Sequence, residues 1–181
     1  MAAQSQRSTL SKTVLALVGA GASAGVIMGA FLDEREGDRL RAYQDGARVW
    51  TICRGITRVD GRPVYPGLTA TPEECAALNA SAVGQALDEA RALIKAPVSA
   101  PALAGIASFC TYNIGATRCR ASTFLRLLNA GQRQAACDQI PLWIFDGGKD
   151  CRIRANGCAG QVERRAQERE LCLMEGEALA L

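Results

Sequence analysis

Glu36-Gly37-Asp38-Arg39-Leu40-Arg41-Ala42-Tyr43-Gln44-Asp45-Gly46-Ala47-Arg48-Val49-Trp50-Thr51-Ile52 is the run whose reading decides the fold. Two short apolar-aromatic stretches, Leu40 to Tyr43 and Val49 to Cys53, flank Gln44-Asp45-Gly46, which predicts a β-hairpin. Taken singly, its polar residues are ordinary. Glu36 is crowded by Asp33, Glu34 and Asp38 as a solvated helix-end acid would be, and Asp45 before Gly46 suits an Asx turn. Thr51 is a common strand residue. Taken together, Glu36 and Asp45 flank a short aromatic segment and can supply the acid and the base that cleavage of a glycosidic bond needs.

Upstream, Thr13 to Leu32 carries no charge. Twenty residues of helix rise about 30 Å, the hydrocarbon thickness of a bilayer, which predicts one transmembrane-length helix. Arg7 and Lys12 precede it and Asp33, Glu34 and Glu36 follow, so the positive-inside rule places the N-terminus in the cytoplasm and the remainder outside. Gly and Ala dominate its middle and hold it weakly in a membrane. Three readings stay open: a permanent signal anchor, a signal peptide cleaved after Ala22-Ser23-Ala24, and an anchor that can be released. All three export the C-terminal part.

The 181 residues suffice for one domain with a substantial core plus this appendage. Net charge is +3, of which Arg7 and Lys12 supply two, so residues 33–181 are nearly neutral and nucleic acid is not an expected partner. There is no histidine, which excludes a Ser-His-Asp or Cys-His triad and any His-ligated zinc. Proton transfer falls to carboxylates, Lys or Tyr. The eight cysteines, at 53, 75, 110, 119, 137, 151, 158 and 172, contain no Cys-x-x-Cys pair. Behind an export signal, an even count reads as disulfides of an oxidising compartment. No metal or organic cofactor is indicated.

Downstream, Arg58 to Leu68 is rich in Gly and Pro and reads as a loop or a short third strand. Thr71-Pro72-Glu73-Glu74 is a capping box, and the helix it starts runs until Pro97, a plausible bridge between two lobes. Further helices are expected over 101–112, 122–129, 132–145 and 161–177. The expected fold class is α+β, mainly helical.

At this point the residues resemble the phage-type lysozymes, glycoside hydrolase family 24, and within them the lambdoid-phage endolysins with a signal-arrest-release segment. Glu36-x8-Asp45-x5-Thr51 matches the family's catalytic Glu, Asp and Thr in type and spacing. Tyr43-Gln44-Asp45 and Trp50-Thr51-Ile52-Cys53 match its flanks. Phe109-Cys110-Thr111-Tyr112-Asn113-Ile114-Gly115, Ser122-Thr123-Phe124-Leu125-Arg126, Trp143…Gly147-Gly148-Lys149 and the run from Gly160 to Cys172 follow in the family's order. One position departs: Ile56 stands where the family commonly has a His, and Arg54 is the neighbour able to compensate in local hydrogen bonding.

The resemblance implies a lysozyme-like two-lobed domain over 33–181, with a small β-hairpin lobe, a long connecting helix and a helical C-terminal lobe, behind a signal-arrest-release anchor over 1–32. It implies bacterial peptidoglycan as substrate, with Glu36 as general acid, Asp45 as the ionised carboxylate and Thr51 holding the attacking water, so that inversion is expected. Asn113 is the candidate for binding sugar N-acetyl groups, and an Arg of the Arg164–Arg165 pair is a candidate ion-pair partner of Glu36. The pairing expected for the cysteines is Cys53–Cys75, Cys110–Cys119, Cys137–Cys172 and Cys151–Cys158, one of many arithmetically possible sets. The host inner membrane is the second expected partner, through residues 13–32, with release to the periplasm as a monomer. Two alternatives stay open: a lytic transglycosylase, and a non-catalytic peptidoglycan-binding protein of lysozyme fold.

Overall fold

In the computed structural model, which describes residues 8–34, 37–46 and 48–179, the apolar N-terminal segment is two helices, α1 (Lys12–Gly19) and α2 (Ala24–Asp33). The expected single helix of membrane length is not seen in this structure, and no helix among the described residues is long and apolar enough to cross a membrane. The reason is local. Gly21 adopts φ 69°, its N–H bonds Val18 O at 3.0 Å, and Ala22 N–H bonds Leu17 O at 3.0 Å. That is a Schellman stop, which needs a left-handed residue that glycine fills without strain. Ser23 then accepts the Val26 N–H and caps a new helix.

The two halves fold against each other and into the core. Ile27, Met28, Phe31 and Leu32 are almost wholly buried, and each contributes about 1.5–3 kcal/mol of apolar burial. They pack in one cluster with Val14 and with the residues of α3 (Pro72–Leu93), α4 (Ala100–Ala107) and α8 (Gly160–Leu173). The tail ahead of α1 is fastened to α8: Glu170 accepts from Thr9 N at 2.8 Å and Thr9 Oγ1 at 2.7 Å, and Gln167 Nε2 donates to Thr9 O.

β1 (Arg39–Gln44) and β2 (Trp50–Cys53) form the expected antiparallel hairpin, with Tyr43 opposite Thr51 and Gln44 opposite Trp50. The stretch 58–68 contains a further small hairpin, β3 (Arg58–Val59) with β4 (Arg62–Pro63), over a separate core of Ile52, Cys53, Val64 and Cys75. α3 leaves this lobe. Thr71 Oγ1 accepts Glu74 N–H while Glu74 returns the bond to Thr71 N–H, the reciprocal cap the residues predict.

The expected regular helix over 101–112 changes character midway. α4 gives way to a π-helical turn, Ser108–Asn113, where Ile114 N–H reaches back five residues to Phe109 O. Thr111 Oγ1 donates to both Ala107 O and Ala86 O, so the widened turn is also tied to α3. Next come α5 (Ala116–Arg120) and α6 (Thr123–Asn129), the latter capped by Ser122.

Two expected helices are shorter. The 132–145 stretch is only α7 (Arg133–Cys137), a 3-10 turn over Ile140–Leu142, and the hairpin β5 (Phe145–Asp146) with β6 (Lys149–Asp150) across Gly147-Gly148. Pro141 lacks the N–H that a continuing helix needs. α8 ends at Leu173 instead of 177 because its last carbonyls have distant partners. Arg133 donates to Cys172 O and Met174 O, and Ser99 Oγ donates to Met174 O at 2.7 Å. Four disulfides, Cys53–Cys75, Cys110–Cys119, Cys137–Cys172 and Cys151–Cys158, leave no free thiol.

Candidate active site

A cleft of about 940 Å³ runs between the hairpin lobe and the helical body, with Asp45, Arg54, Ile56, Gln85, Tyr112 and Asn113 on its walls. Asp45 sits at the end of β1. Its Oδ1 accepts the Val49 N–H at 2.9 Å and its own N–H donates to Val49 O at 3.0 Å. The side chain thereby closes the turn between the strands, as an Asx residue does.

Thr51, on β2, is 2% exposed, and its Oγ1 donates to Val49 O at 3.0 Å. Asp45 and Thr51 therefore grip the same Val49 backbone from its N–H and its C=O. The structure brings these two residues together through that one residue. Glu36 lies outside the described residues; its described neighbours on the chain are Glu34 and Gly37.

Asn113 ends the π-helical turn, which swings it onto the cleft wall. Its Oδ1 accepts from Arg165 Nη2. Arg165 also donates from Nε to Trp143 O at 3.0 Å and from Nη1 to Glu168 Oε2, with its guanidinium 5.2 Å from the Phe109 ring centroid. Burial pulls the Arg165 guanidinium below its usual pKa, and the adjacent Glu168 carboxylate opposes that shift.

Glu168 is fully buried and also accepts from Arg164 Nε at 3.2 Å and Ser108 Oγ at 2.7 Å. Both arginines thus meet Glu168. They differ in what else they face: Arg165 turns towards Asn113, while Arg164 lines a polar recess with Glu34, Asp146 and Glu163.

A second polar group runs from Arg54 on the cleft wall to residues outside the cleft, and residue-by-residue reading leaves those partners nearly invisible. Arg54 bonds Asp33 and, at 3.2 Å, Asp38, while Asn79 Nδ2 donates to Asp38 Oδ1 at 2.8 Å. Asn79 is a polar residue at core spacing on α3, between Cys75 and Val83, and that interruption is its only local signal. Glu168 carries a clearer one, standing three and four residues after the two arginines.

A two-lobed helical body with a hairpin lobe across a polar cleft defines a lysozyme-like fold. The family model for phage lysozyme matches residues 33–168. The SAR-endolysin of Escherichia phage 933W is 56% identical over 162 residues, covering 90% of this chain and 92% of that protein. Among solved structures, the endolysin from Escherichia coli O157:H7 phage FAHEc1 superposes with TM-score 0.68 at 30% identity, over 84% of this chain and 92% of that one. A variant of P22 lysozyme gives TM-score 0.65 at 33% identity, over 81% and 95%. The chain belongs to the phage lysozyme family. It is a glycoside hydrolase of the endolysin kind.

Proposed function

We propose that the protein hydrolyses the β-1,4 bond between N-acetylmuramic acid and N-acetylglucosamine in peptidoglycan and thereby lyses the host cell. The observation that carries this reading is the convergence of Asp45 and Thr51 on the Val49 backbone, with Asp45 and Asn113 on one cleft. Glu36 acts as general acid and gives its proton to the leaving glycosidic oxygen. Asp45, ionised, draws a proton from water and stabilises the oxocarbenium-like transition state. Thr51, its hydroxyl hydrogen committed to Val49 O, accepts a hydrogen bond from that water and so holds it in line. Water between well-separated carboxyls gives inversion at the anomeric carbon. The Asn113 amide, oriented by Arg165, donates to a sugar N-acetyl carbonyl. Of the two arginines, Arg164 is the candidate partner for Glu36, and its sharing a recess with Glu34 supports that choice.

Mass spectrometry of the products from Gram-negative peptidoglycan tests the reaction. Reducing-end muropeptides are expected. Anhydro-muramic products would make the enzyme a transglycosylase, and binding to sacculi without cleavage would make it a non-catalytic binder.

Residues 1–32 serve first as an anchor in the host inner membrane and, after release to the periplasm, join 33–181 in one monomeric body. The apolar side chains of α1 and α2 support this: those a bilayer would take have a protein core to enter. The four disulfides suit the periplasm. Replacing Gly19, Gly25 and Gly29 by Leu is expected to hold the enzyme in the membrane fraction and delay lysis. Unaltered lysis timing and an unaltered soluble fraction would count against release.

A further inference from the structure

We propose that Arg54 is a positioning residue for the general acid, clamping both flanks of the segment that carries Glu36. The inference rests on the assignment of Glu36 as that acid. Arg54 sits in the three-residue turn after β2, where Ile52 and Ile56 exchange backbone hydrogen bonds at 2.9 Å and the Cys53–Cys75 disulfide ties the turn to α3. Two elements hold its backbone. Its N–H donates to Asn79 Oδ1 at 3.3 Å, and its carbonyl accepts Tyr112 Oη–H at 2.8 Å from the π-helical turn. Its root is therefore fixed to α3 and to the cleft wall beside Asn113.

From that root the guanidinium reaches Asp33, the last residue of α2, and Asp38, just ahead of β1. Glu36 lies between those two aspartates in sequence. Asn79 bonds Asp38 as well, so the β1 flank has two independent anchors. An exposed ion pair taken alone stabilises little. This one differs in that the Arg54 side chain is 15% exposed and its planar fork serves two carboxylates at once, which a lysine cannot reproduce. The two flanks belong to different parts of the molecule, the N-terminal helical hairpin and the β-lobe. One side chain on the wall of the cleft that holds Asp45 thus ties together the end of α2 and the start of β1.

Placement of a catalytic group matters steeply, since a displacement of about 1 Å can cost roughly 100-fold in rate. The test measures kcat and KM on purified peptidoglycan for Arg54→Met, Arg54→Lys, Asp33→Asn, Asp38→Asn and Glu36→Gln, with thermal midpoints for each. Arg54→Met is expected to lose about 10- to 100-fold in kcat with KM within about two-fold. Arg54→Lys, reaching one carboxylate, is expected to recover part of that loss. Asp38→Asn is expected to lose several-fold, and to add little to Arg54→Met in the double variant. A folded Arg54→Met with kcat within about two-fold of wild type, or an effect confined to KM, overturns the proposal. If Arg54→Met does not fold, the two aspartate variants decide, and unchanged kcat in both overturns it. An active Glu36→Gln would instead remove the acid assignment on which the proposal stands. An inactive Glu36→Gln beside an unaffected Arg54→Met removes the clamp alone.

Discussion

Glu36→Gln is expected to lower kcat on peptidoglycan by about 10²- to 10⁴-fold, the usual contribution of a positioned proton donor. The glutamine keeps the size of the side chain and cannot give up a proton to the leaving oxygen, so KM should stay close to wild type. Asp45→Asn is the natural companion. An asparagine keeps the Oδ1 that accepts the Val49 N–H, so the turn between β1 and β2 survives while the base is lost. The two variants separate the mechanisms. Hydrolysis requires both carboxyls, whereas a transglycosylase needs Glu36 but no water-activating base. Initial rates of reducing-end release decide between them: a fast Asp45→Asn enzyme sinks the hydrolytic reading, and a fast Glu36→Gln enzyme sinks the acid assignment.

The second large effect is on stability. Glu168→Gln is expected to cost about 3–5 kcal/mol, because it leaves two buried guanidinium groups without their shared counter-charge. In a domain of this size each kcal/mol moves Tm by about 2–4 °C, so a fall of roughly 6–20 °C follows. Thermal denaturation followed by circular dichroism measures it, and a shift below about 2 °C would refute the assignment. The same substitution loosens Arg165, which orients Asn113, so KM for peptidoglycan should rise as Tm falls.

Where local chemistry decides structure, the residues were readable. The Thr71–Glu74 cap and the strands around Gln44-Asp45-Gly46 stand where their side chains predict. The reading is incomplete where two environments make the same demand. An uncharged stretch such as Thr13 to Leu32 suits a bilayer and a protein core equally, and hydropathy does not distinguish them. The decisive signals there, Gly21 as a stop and Ser23 as a cap, are small residues that also resemble a cleavage site. α8 ends early because of Arg133, far away in sequence, and no local pattern encodes that. At the site, Asp45 and Asn113 were legible through the family motif. Arg54 with Asp33, Asp38 and Asn79 was not, since the four come from separate parts of the chain and meet only in the fold.

The covalent cross-links are spread unevenly, and this has a thermodynamic consequence. Every disulfide lies between Cys53 and Cys172, and no cysteine precedes Cys53. Loop closure therefore lowers the entropy of the unfolded state for the body alone. The described residues before Cys53 lie outside every such loop and are held by packing, hydrogen bonds and the ion pairs of Arg54 with Asp33 and Asp38. They are expected to be the first unit to detach on heating, with the body still folded behind its staples, and hydrogen exchange measures it. With Glu36 and Asp45 as the proposed acid and base before Cys53, activity is expected to be lost on heating below the temperature at which the body melts.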